Sequence, residues 1–331
     1  MKTQRLWMLV LILVLPACGG LQLNLLKNSV QKPSNISLYF SVETRDGMPV
    51  GGLEATSFRI YEDGQLISPF ESKQTILNPE VAVVHHVLLL LDLSGSITES
   101  GSMHQLVKAA AAFTERMTKQ RKVSVYAFDG RAKLIPLVRS TNNPAAVTRG
   151  LARLSSYKTK DPSTNLNGAV VASVQILERH MQASRQPVRL GTLVVFTDGT
   201  DRAHRVPEEK MLEALDQADL NVFAIGLGAE IASSSLSRIG HTGFVQAQAD
   251  SDVGSAFNSV AESIEAASRK FYLLSYCSPS RAGTHILRVE ANVEGGTGSL
   301  EQEFDAKGFS HNCDPKRPPR FSVGRVLLRR K

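Results

Sequence analysis

Hydrophobic and polar residues change their spacing several times along the chain, and each change predicts a different kind of element. After residue 34, short runs rich in β-branched and aromatic side chains are separated by the turn-forming pairs Asp46-Gly47 and Asp63-Gly64. Asp-Gly pairs between β-rich runs are strong hairpin signals. We therefore predict a small β module over residues 35–82.

Between residues 83 and 270, apolar strands alternate with amphipathic helical segments. Residues 87–91 form an unbroken apolar run, which is typical of a parallel strand covered on both faces. Residues 103–119 carry apolar side chains at helical spacing. This alternation predicts an α/β domain with a doubly wound, mostly parallel sheet.

One pair of strands in this domain is expected to be antiparallel. Residues 122–128 and 132–138 are joined by Asp129-Gly130, which predicts a hairpin at the edge of the sheet. The same reading places helices at residues 145–154, 166–183, 208–218, 236–239 and 253–270, and strands at residues 190–196, 222–226 and 243–246.

The β pattern returns after residue 270. Residues 271–276, 285–293 and 299–304 are β-rich or alternate between apolar and polar side chains. We infer that these strands pair with those before residue 83. The β module would then be a sandwich split into residues 35–82 and 271–313, with the α/β domain inserted in it.

Composition narrows the class of protein. The chain has 331 residues, of which 42% are hydrophobic, with 24 Gly, 14 Pro and 3 Cys. These values exclude collagen-like, coiled-coil, largely disordered and disulfide-stapled chains. Much of the formal charge of +7 comes from basic residues at the two ends, so the body is near neutral. A nucleic-acid partner is therefore not indicated.

Oxygen-bearing residues follow three strands or loops of the predicted sheet. Asp92-Leu93-Ser94-Gly95-Ser96 ends the first central strand, and Thr197-Asp198-Gly199 ends a later one. Thr164 stands just before the helix at residues 166–183. Doubly wound sheets bind ligands beyond the carboxyl ends of their strands, where the strand order reverses. We expect these segments to meet there.

Two carboxylates and three hydroxyls form a ligand set for a hard cation. Mg²⁺ prefers oxygen ligands and keeps several waters, so we predict a Mg²⁺ site with Mn²⁺ or Ca²⁺ as alternatives. The short Asp-x-Ser-x-Ser run alone could be a capping turn, but five residues on three loops favour a metal site. Its predicted ligands are Asp92, Ser94, Ser96, Thr164 and Asp198.

These five positions resemble the metal-ion-dependent adhesion site of von Willebrand factor A domains in residue type, order and context. The resemblance covers most of residues 36–310 and is strongest over residues 86–228; residues 46–64 also resemble the β-sandwich lead-in of bacterial members. In that family, an acidic side chain of the ligand takes the open metal position. The resemblance thus implies a binding or adhesion protein that captures an exposed Asp or Glu of a protein or envelope ligand.

The alternative function is a metal-dependent hydrolase of the periplasm, such as a phosphatase with Asp92 as nucleophile. Ser94 stands where such phosphatases have a second Asp. The sequence also contains no Gly-x-Ser-x-Gly elbow and no Walker-type phosphate loop. We therefore favour a binding protein over an enzyme.

The first residues have the features of an export signal. Lys2 and Arg5 precede the apolar run 6–15, which is shorter than the roughly 20 residues that span a membrane. Leu15-Pro16-Ala17-Cys18 resembles a bacterial lipobox. The resemblance implies removal of a lipoprotein signal peptide (1–17), lipidation of Cys18 and a tether over residues 18–34. An ordinary signal peptide with a chance cysteine is the alternative.

The lipobox resemblance also bears on location and on the other cysteines. An exported, lipid-anchored protein with Gly after Cys18 would lie in the outer membrane of a Gram-negative cell. Cys277 and Cys313 then remain as a pair in an oxidising compartment, and we expect a disulfide between them. Two free buried thiols are the alternative.

Basic residues lie near the predicted site and in the tail. Lys158, Lys160, Arg202 and Arg205 would attract an acidic partner, or would simply be solvated loop charges. Residues 314–331 are rich in proline and basic residues, which favours a disordered tail that aids solubility or touches anionic lipid. The oligomeric state has no signature in the sequence.

Overall fold

Among the residues that the structure describes, the strands form three sheets, and helices cover both faces of one of them. The computed structural model describes residues 20–77, 83–99, 101–186, 188–294 and 296–321. The strands are β1 (Leu21–Gln31), β2 (Asn35–Thr44), β3 (Phe58–Glu62), β4 (Gln65–Leu66), β5 (Thr75–Leu77), β6 (Val83–Asp92), β7 (Lys122–Phe128), β8 (Ile135–Thr141), β9 (Val188–Thr197), β10 (Asn221–Leu227), β11 (Gly243–Ala247), β12 (Phe271–Cys277), β13 (Thr284–Val293) and β14 (Gly296–Asp305). The helices are α1 (Gly95–Glu99), α2 (Met103–Thr118), α3 (Pro144–Ala152), α4 (Leu166–Gln182), α5 (Glu208–Gln217), α6 (Ser233–Ile239) and α7 (Val253–Arg269).

The central sheet has the strand order β11-β10-β9-β6-β7-β8. Its strands are parallel except for the edge strand β8, which pairs antiparallel with β7 as the sequence predicts. Both faces of β6 are buried: Leu89 lies in a core with α2, α3 and α7, and Leu88 in a core with α4, α5 and α6. The predicted doubly wound, mostly parallel α/β fold is confirmed.

The other two sheets form a β-sandwich beside this domain. Their strand orders are β1-β2-β12-β5 and β14-β13-β3-β4, so each combines strands from before and after the α/β segment. An apolar core lies between them, in which Phe58 packs edge-on against Phe40 and Tyr272 with ring centroids 5.4 and 5.5 Å apart. Early strands pair antiparallel with late ones, β2 with β12 and β3 with β13, so the α/β segment lies between the two parts of the sandwich in the sequence.

The predicted tether over residues 18–34 is wrong for most of its length. β1 pairs antiparallel with β2 from Leu21 opposite Thr44 to Gln31 opposite Asn35. Leu23 is buried in the sandwich core, where its apolar side chain stabilises the strand. The physical reason for the strand is therefore burial of an apolar face against β2. Cys18 and the signal segment lie outside the described residues.

The expectation of a disordered tail from residue 314 is also wrong for its first part. Asn35 Nδ2 donates to the Asp314 carbonyl at 3.0 Å, and Ser29 Oγ donates to the Arg320 carbonyl at 2.7 Å. Phe321 is 9% exposed and packs in an apolar cluster with Tyr39 and with residues of β9 and β12. This segment is ordered because it covers the junction between the sandwich and the central sheet. Residues 322–331 lie outside the described part.

A disulfide joins Cys277, the last residue of β12, to Cys313, with their Cα atoms 5.8 Å apart. The pairing is the one expected from the cysteine count. It links the returning strands of the sandwich to the segment that leads to Phe321. Among the described residues, the helices are all too short or too polar to cross a bilayer.

Candidate metal centre at the carboxyl edge of the central sheet

The candidate site lies where the order of the central strands reverses. From β6 the chain runs to β7 on one side, whereas β9 and β10 follow on the other side. Asp92 is the last residue of β6, and Thr197 is the last residue of its parallel neighbour β9. Parallel neighbours end at the same edge, so the loops after these two strands meet at the switch point predicted for ligands.

Asp92 is fully buried and held by two hydrogen bonds. Its Oδ1 accepts from the Ser94 backbone N–H at 2.9 Å, and its Oδ2 accepts from Thr197 Oγ1 at 2.7 Å. Sequence analysis did not assign a role to Thr197, although it directly precedes Asp198. Its hydroxyl fixes the orientation of the Asp92 carboxylate.

Ser94, Ser96 and Asp198 form a cluster beside Asp92. The two serine hydroxyls share a hydrogen bond of 3.2 Å. Burial raises the pKa of Asp198, hydrogen bonds from Ser96 and Ser94 oppose that rise, and the charge of Glu230 adds to it. Asp198 Oδ1 is buried and accepts no hydrogen bond from the described residues. The cluster therefore contains a carboxylate oxygen that lacks a donor.

The raised pKa of Asp92 is typical of a carboxylate that lacks a nearby positive charge. Burial, together with the nearby charge of Asp198, raises the pKa of Asp92 to about 7, although hydrogen bonds from Thr197 and Ser94 oppose the rise. Two carboxylates in a poorly solvated cluster repel each other. A hard cation would offset both charges and satisfy Asp198 Oδ1, so the residues present fit a divalent ion with oxygen ligands.

Backbone hydrogen bonds bring the loop of Thr164 to the same place. Gly95 N–H donates to the Pro162 carbonyl at 2.9 Å, and a Cβ on Gly95 would lie 3.0 Å from Pro162 Cβ. On the other side, Arg202 N–H donates to the Thr164 carbonyl at 2.9 Å. Thr164 itself is buried. The three predicted segments are therefore in contact, with Asp92, Ser94, Ser96 and Asp198 clustered and Thr164 in the adjoining loop.

A second carboxylate network, missed by sequence analysis, supports the Thr164 loop. Asp129 is fully buried directly after β7, where it pairs with Arg131 at 2.9 Å and accepts from the Tyr157 hydroxyl at 3.0 Å. Burial acts to raise the pKa of Asp129, but hydrogen bonds from Arg131 and Tyr157 hold it below the usual value. Asn165 N–H donates to the Asp129 carbonyl at 3.2 Å. In the sequence, the Asp129-Gly130 pair indicated a turn only. The position of Asp129 directly after a parallel strand could have predicted that it lies at the edge of the sheet that carries the site.

The four basic residues predicted near the site are here called the basic rim, and two of them form ion pairs. Arg202 forms an ion pair with Glu230. Arg205 donates to the Gly130 carbonyl at 2.6 Å and lies 3.3 Å from Asp161.

Lys158 and Lys160, by contrast, are exposed. Of the four predicted rim cations, these two lysines are therefore the ones that the described residues leave without an ion pair. Glu230 is an acidic rim residue that sequence analysis missed, and no local sequence pattern marks it.

The fold and the site together define a doubly wound α/β domain with an oxygen-rich ligand cluster at its switch point. The sequence model of the von Willebrand factor type A domain matches residues 86–267, which is more than half of the chain. The chain therefore belongs to the von Willebrand factor type A family. No curated protein matches the chain.

Several solved structures are similar to this chain at low identity. Proximal thread matrix protein 1 from the mussel byssus is 14% identical with a TM-score of 0.45; the match covers 55% of this chain and 48%, about half, of the mussel protein. A von Willebrand factor type A protein from Catenulispora acidiphila is 10% identical over 86% of this chain and 72% of its own, with a TM-score of 0.45. Manganese-loaded TRAP protein from Plasmodium vivax is 14% identical over 75% of this chain and 98% of its own, with a TM-score of 0.47.

Proposed function

We propose that this chain is a cell-envelope binding protein that holds a divalent cation and captures an acidic group of its ligand. The observation that carries the proposal is the cluster at the carboxyl edge: Ser94 contacts both Asp92 and Asp198, and Asp198 Oδ1 is buried without a hydrogen bond from the described residues. Without a nearby positive charge, this arrangement lowers the stability of the fold, because buried carboxylates need a partner. A cation supplies that charge.

Asp92, Ser94, Ser96 and Asp198 would hold the cation, with Thr164 contributing from the adjoining loop. Carboxylate and hydroxyl oxygens suit Mg²⁺, with Mn²⁺ and Ca²⁺ as alternatives. When bound, the ion offers a coordination position to an acidic side chain of the ligand. The chain's own part is to orient Asp92 through Thr197 and to keep the loop of Thr164 against the cluster.

Binding, rather than hydrolysis, is the function that the contacts of Asp92 favour. Both carboxylate oxygens of Asp92 accept hydrogen bonds, from the Ser94 N–H and the Thr197 hydroxyl. A phosphatase also needs a general acid or base close to its nucleophile. The groups nearest to Asp92 are hydroxyls and another carboxylate, which suit cation ligation. Turnover of a phosphate ester that depends on Asp92 would overturn this preference for binding.

The proposed location and partner follow from the termini and the rim. The apolar run before Cys18 and its lipobox resemblance support an exported protein anchored through lipid at Cys18, in the outer membrane of a Gram-negative cell. The exposed Lys158 and Lys160 would speed encounter with a protein or envelope ligand that displays Asp or Glu.

Calorimetric titration of chelator-treated protein with Mg²⁺ and Mn²⁺ tests the proposal. The wild type should take up one ion, whereas D92A and D198A should lose most of the affinity and keep their far-ultraviolet circular dichroism. E208A is a matched control, because Glu208 is an acidic residue of the same domain that pairs with Arg238 and is not among the predicted ligands. Wild-type protein that takes up neither ion, or a D92A variant with unchanged uptake, would show that the site is assigned wrongly.

Capture of the partner is tested with envelope extract. Immobilised wild-type protein should retain a ligand that EDTA releases, and D198A should not retain it. Blocking the acidic side chains of the extract by amidation should abolish retention, because the proposed contact is a carboxylate on the cation. Retention that survives both EDTA and amidation would contradict the proposed mode of capture.

A further inference from the structure

Arg202 and Glu230 form an ion pair between two loops of the site. Arg202 lies in the loop after β9, four residues beyond Asp198, and Glu230 lies between β10 and α6. The side chains are 59% and 42% exposed, and Arg202 Nη2 contacts Glu230 Oε1. An exposed pair of this kind adds little to the stability of a fold. The position of the ion pair beside the candidate site, rather than its contribution to stability, therefore points to a role.

The Glu230 carboxylate lies next to the ligand loop. A Cβ atom added to Gly199, the residue after Asp198, would be only 3.2 Å from Glu230 Oε1. Glu230 is also the nearby charge that helps to raise the pKa of Asp198. Glu230 thus places a third negative charge beside the two carboxylates of the cluster, outside the set of predicted ligands, while Arg202 places a positive charge against it.

We propose that the Arg202–Glu230 ion pair sets the strength with which the site holds its cation, Glu230 acting as an outer carboxylate and Arg202 as its counter-ion. The inference rests on the proposed metal site and adds a specific control of it. Glu230 attracts the cation without ligating it, and Arg202 weakens that attraction by neutralising Glu230.

The two members of the pair should act in opposite directions. E230Q removes the negative charge and leaves the positive charge of Arg202 near the site, so cation affinity should fall. R202Q leaves Glu230 without its counter-ion, so affinity should rise. For exposed charges acting on a divalent ion at low ionic strength, each change should be about threefold or larger. The double variant should lie between the single variants.

Salt provides a second, independent signature. At about 0.01 M ionic strength charges interact over roughly 30 Å, whereas at about 1 M the range is roughly 3 Å. The differences among wild type, E230Q and R202Q should therefore shrink as the salt concentration rises. A role of the pair in merely positioning the loop would give differences that salt does not remove.

The experiment is a Mn²⁺ titration of chelator-treated full-length protein, followed by calorimetry and by the electron paramagnetic resonance of free Mn²⁺. Arg238 and Glu208 provide the matched control, because they form an ion pair of 2.7 Å with side-chain exposures of 49% and 41% between α6 and α5. R238Q and E208Q should change Mn²⁺ affinity less than R202Q and E230Q do. Thermal unfolding of all variants checks that each one is folded.

Opposite shifts for E230Q and R202Q that fade with salt would support the inference. Shifts in the same direction, unchanged affinities, or equal effects of the control pair would overturn it while leaving the metal site in place. Wild-type protein that takes up no Mn²⁺ would overturn the metal site itself, and this inference with it, so the two failures are distinguishable.

Discussion

Replacing Asp92 with Asn tests whether this buried carboxylate destabilises the cation-free protein. Asn has nearly the shape of Asp, and its Oδ1 can still accept from the Ser94 N–H. Thr197 Oγ1 can donate to the Gly199 carbonyl, 3.0 Å away, and accept from the new amide. The substitution therefore removes the charge of Asp92 and keeps the hydrogen bonds of the loop.

The expected gain in stability follows from the pH range in which Asp92 titrates. Its pKa is about 7 in the folded chain, against an ordinary value of 3.8, chiefly because of burial. Between these values the folded chain binds more protons than the unfolded chain, so its stability falls as the pH rises through this range. At about 1.4 kcal/mol per pKa unit, the full loss is about 4 kcal/mol above neutral pH. D92N avoids that loss.

Urea unfolding in EDTA across the pH range measures the effect. D92N should be more stable than wild type by about 4 kcal/mol near pH 8 and almost equal to it near pH 4. D305N, at an exposed position at the end of β14, should show no such trend. Added Mg²⁺ should stabilise the wild type but not D92N, because a ligand stabilises the state that binds it. A D92N variant no more stable than wild type near pH 8 in EDTA would refute the electrostatic reasoning.

Three further substitutions test the supports of the fold and of the site. Replacing both Cys277 and Cys313 with Ser should lower the free energy of unfolding by about 4 kcal/mol, because the disulfide joins residues 36 apart in sequence. Chemical denaturation measures the loss, and an unchanged free energy of unfolding would contradict the prediction. F321A should lower the free energy of unfolding by about 3 kcal/mol, because it leaves a cavity in the apolar cluster between the sandwich and the central sheet. F70A, at a side chain that is 93% exposed, should lower it by less than about 0.5 kcal/mol. Thermal unfolding compares the two variants. D129N should leave Arg131 without its buried partner and loosen the Thr164 loop, reducing Mn²⁺ affinity; unchanged calorimetric affinity would show that the network does not support the site.

The central domain could be predicted because the patterns that indicate its strands and its site lie in short stretches of sequence. The run 87–91 is apolar on both faces, as a strand between two neighbours must be, and the oxygen-bearing residues follow it directly at positions 92, 94 and 96. Parallel strands bring their carboxyl ends to one edge, so the predicted parallel sheet was enough to expect the Asp92 and Asp198 loops to meet.

The missed features depend on contacts between distant parts of the chain. Glu230 lies in a loop with no distinctive pattern, and it reaches the site only because that loop passes beside Gly199. Phe321 follows a proline-rich basic stretch, and its burial depends on apolar residues of the sandwich and of the central sheet that are distant in sequence. β1 was different: the alternation of Leu21, Leu23 and Leu25 with polar residues was visible in the sequence as a strand pattern.

The position of the site relative to the sandwich has a consequence for ligand capture. The apolar junction contacts Val188 and Leu190 at the start of β9, whereas Thr197 at its end contacts Asp92. At about 3.3 Å per residue, β9 separates the two by roughly 30 Å. Because β1 begins at Leu21, a lipid on Cys18 would be separated from the sandwich by at most about 10 Å. In the proposed anchored form, the sandwich would therefore be the part held at the membrane. The loops of the candidate metal site lie on the edge of the central sheet turned away from the sandwich, where the proposed acidic ligand would approach them.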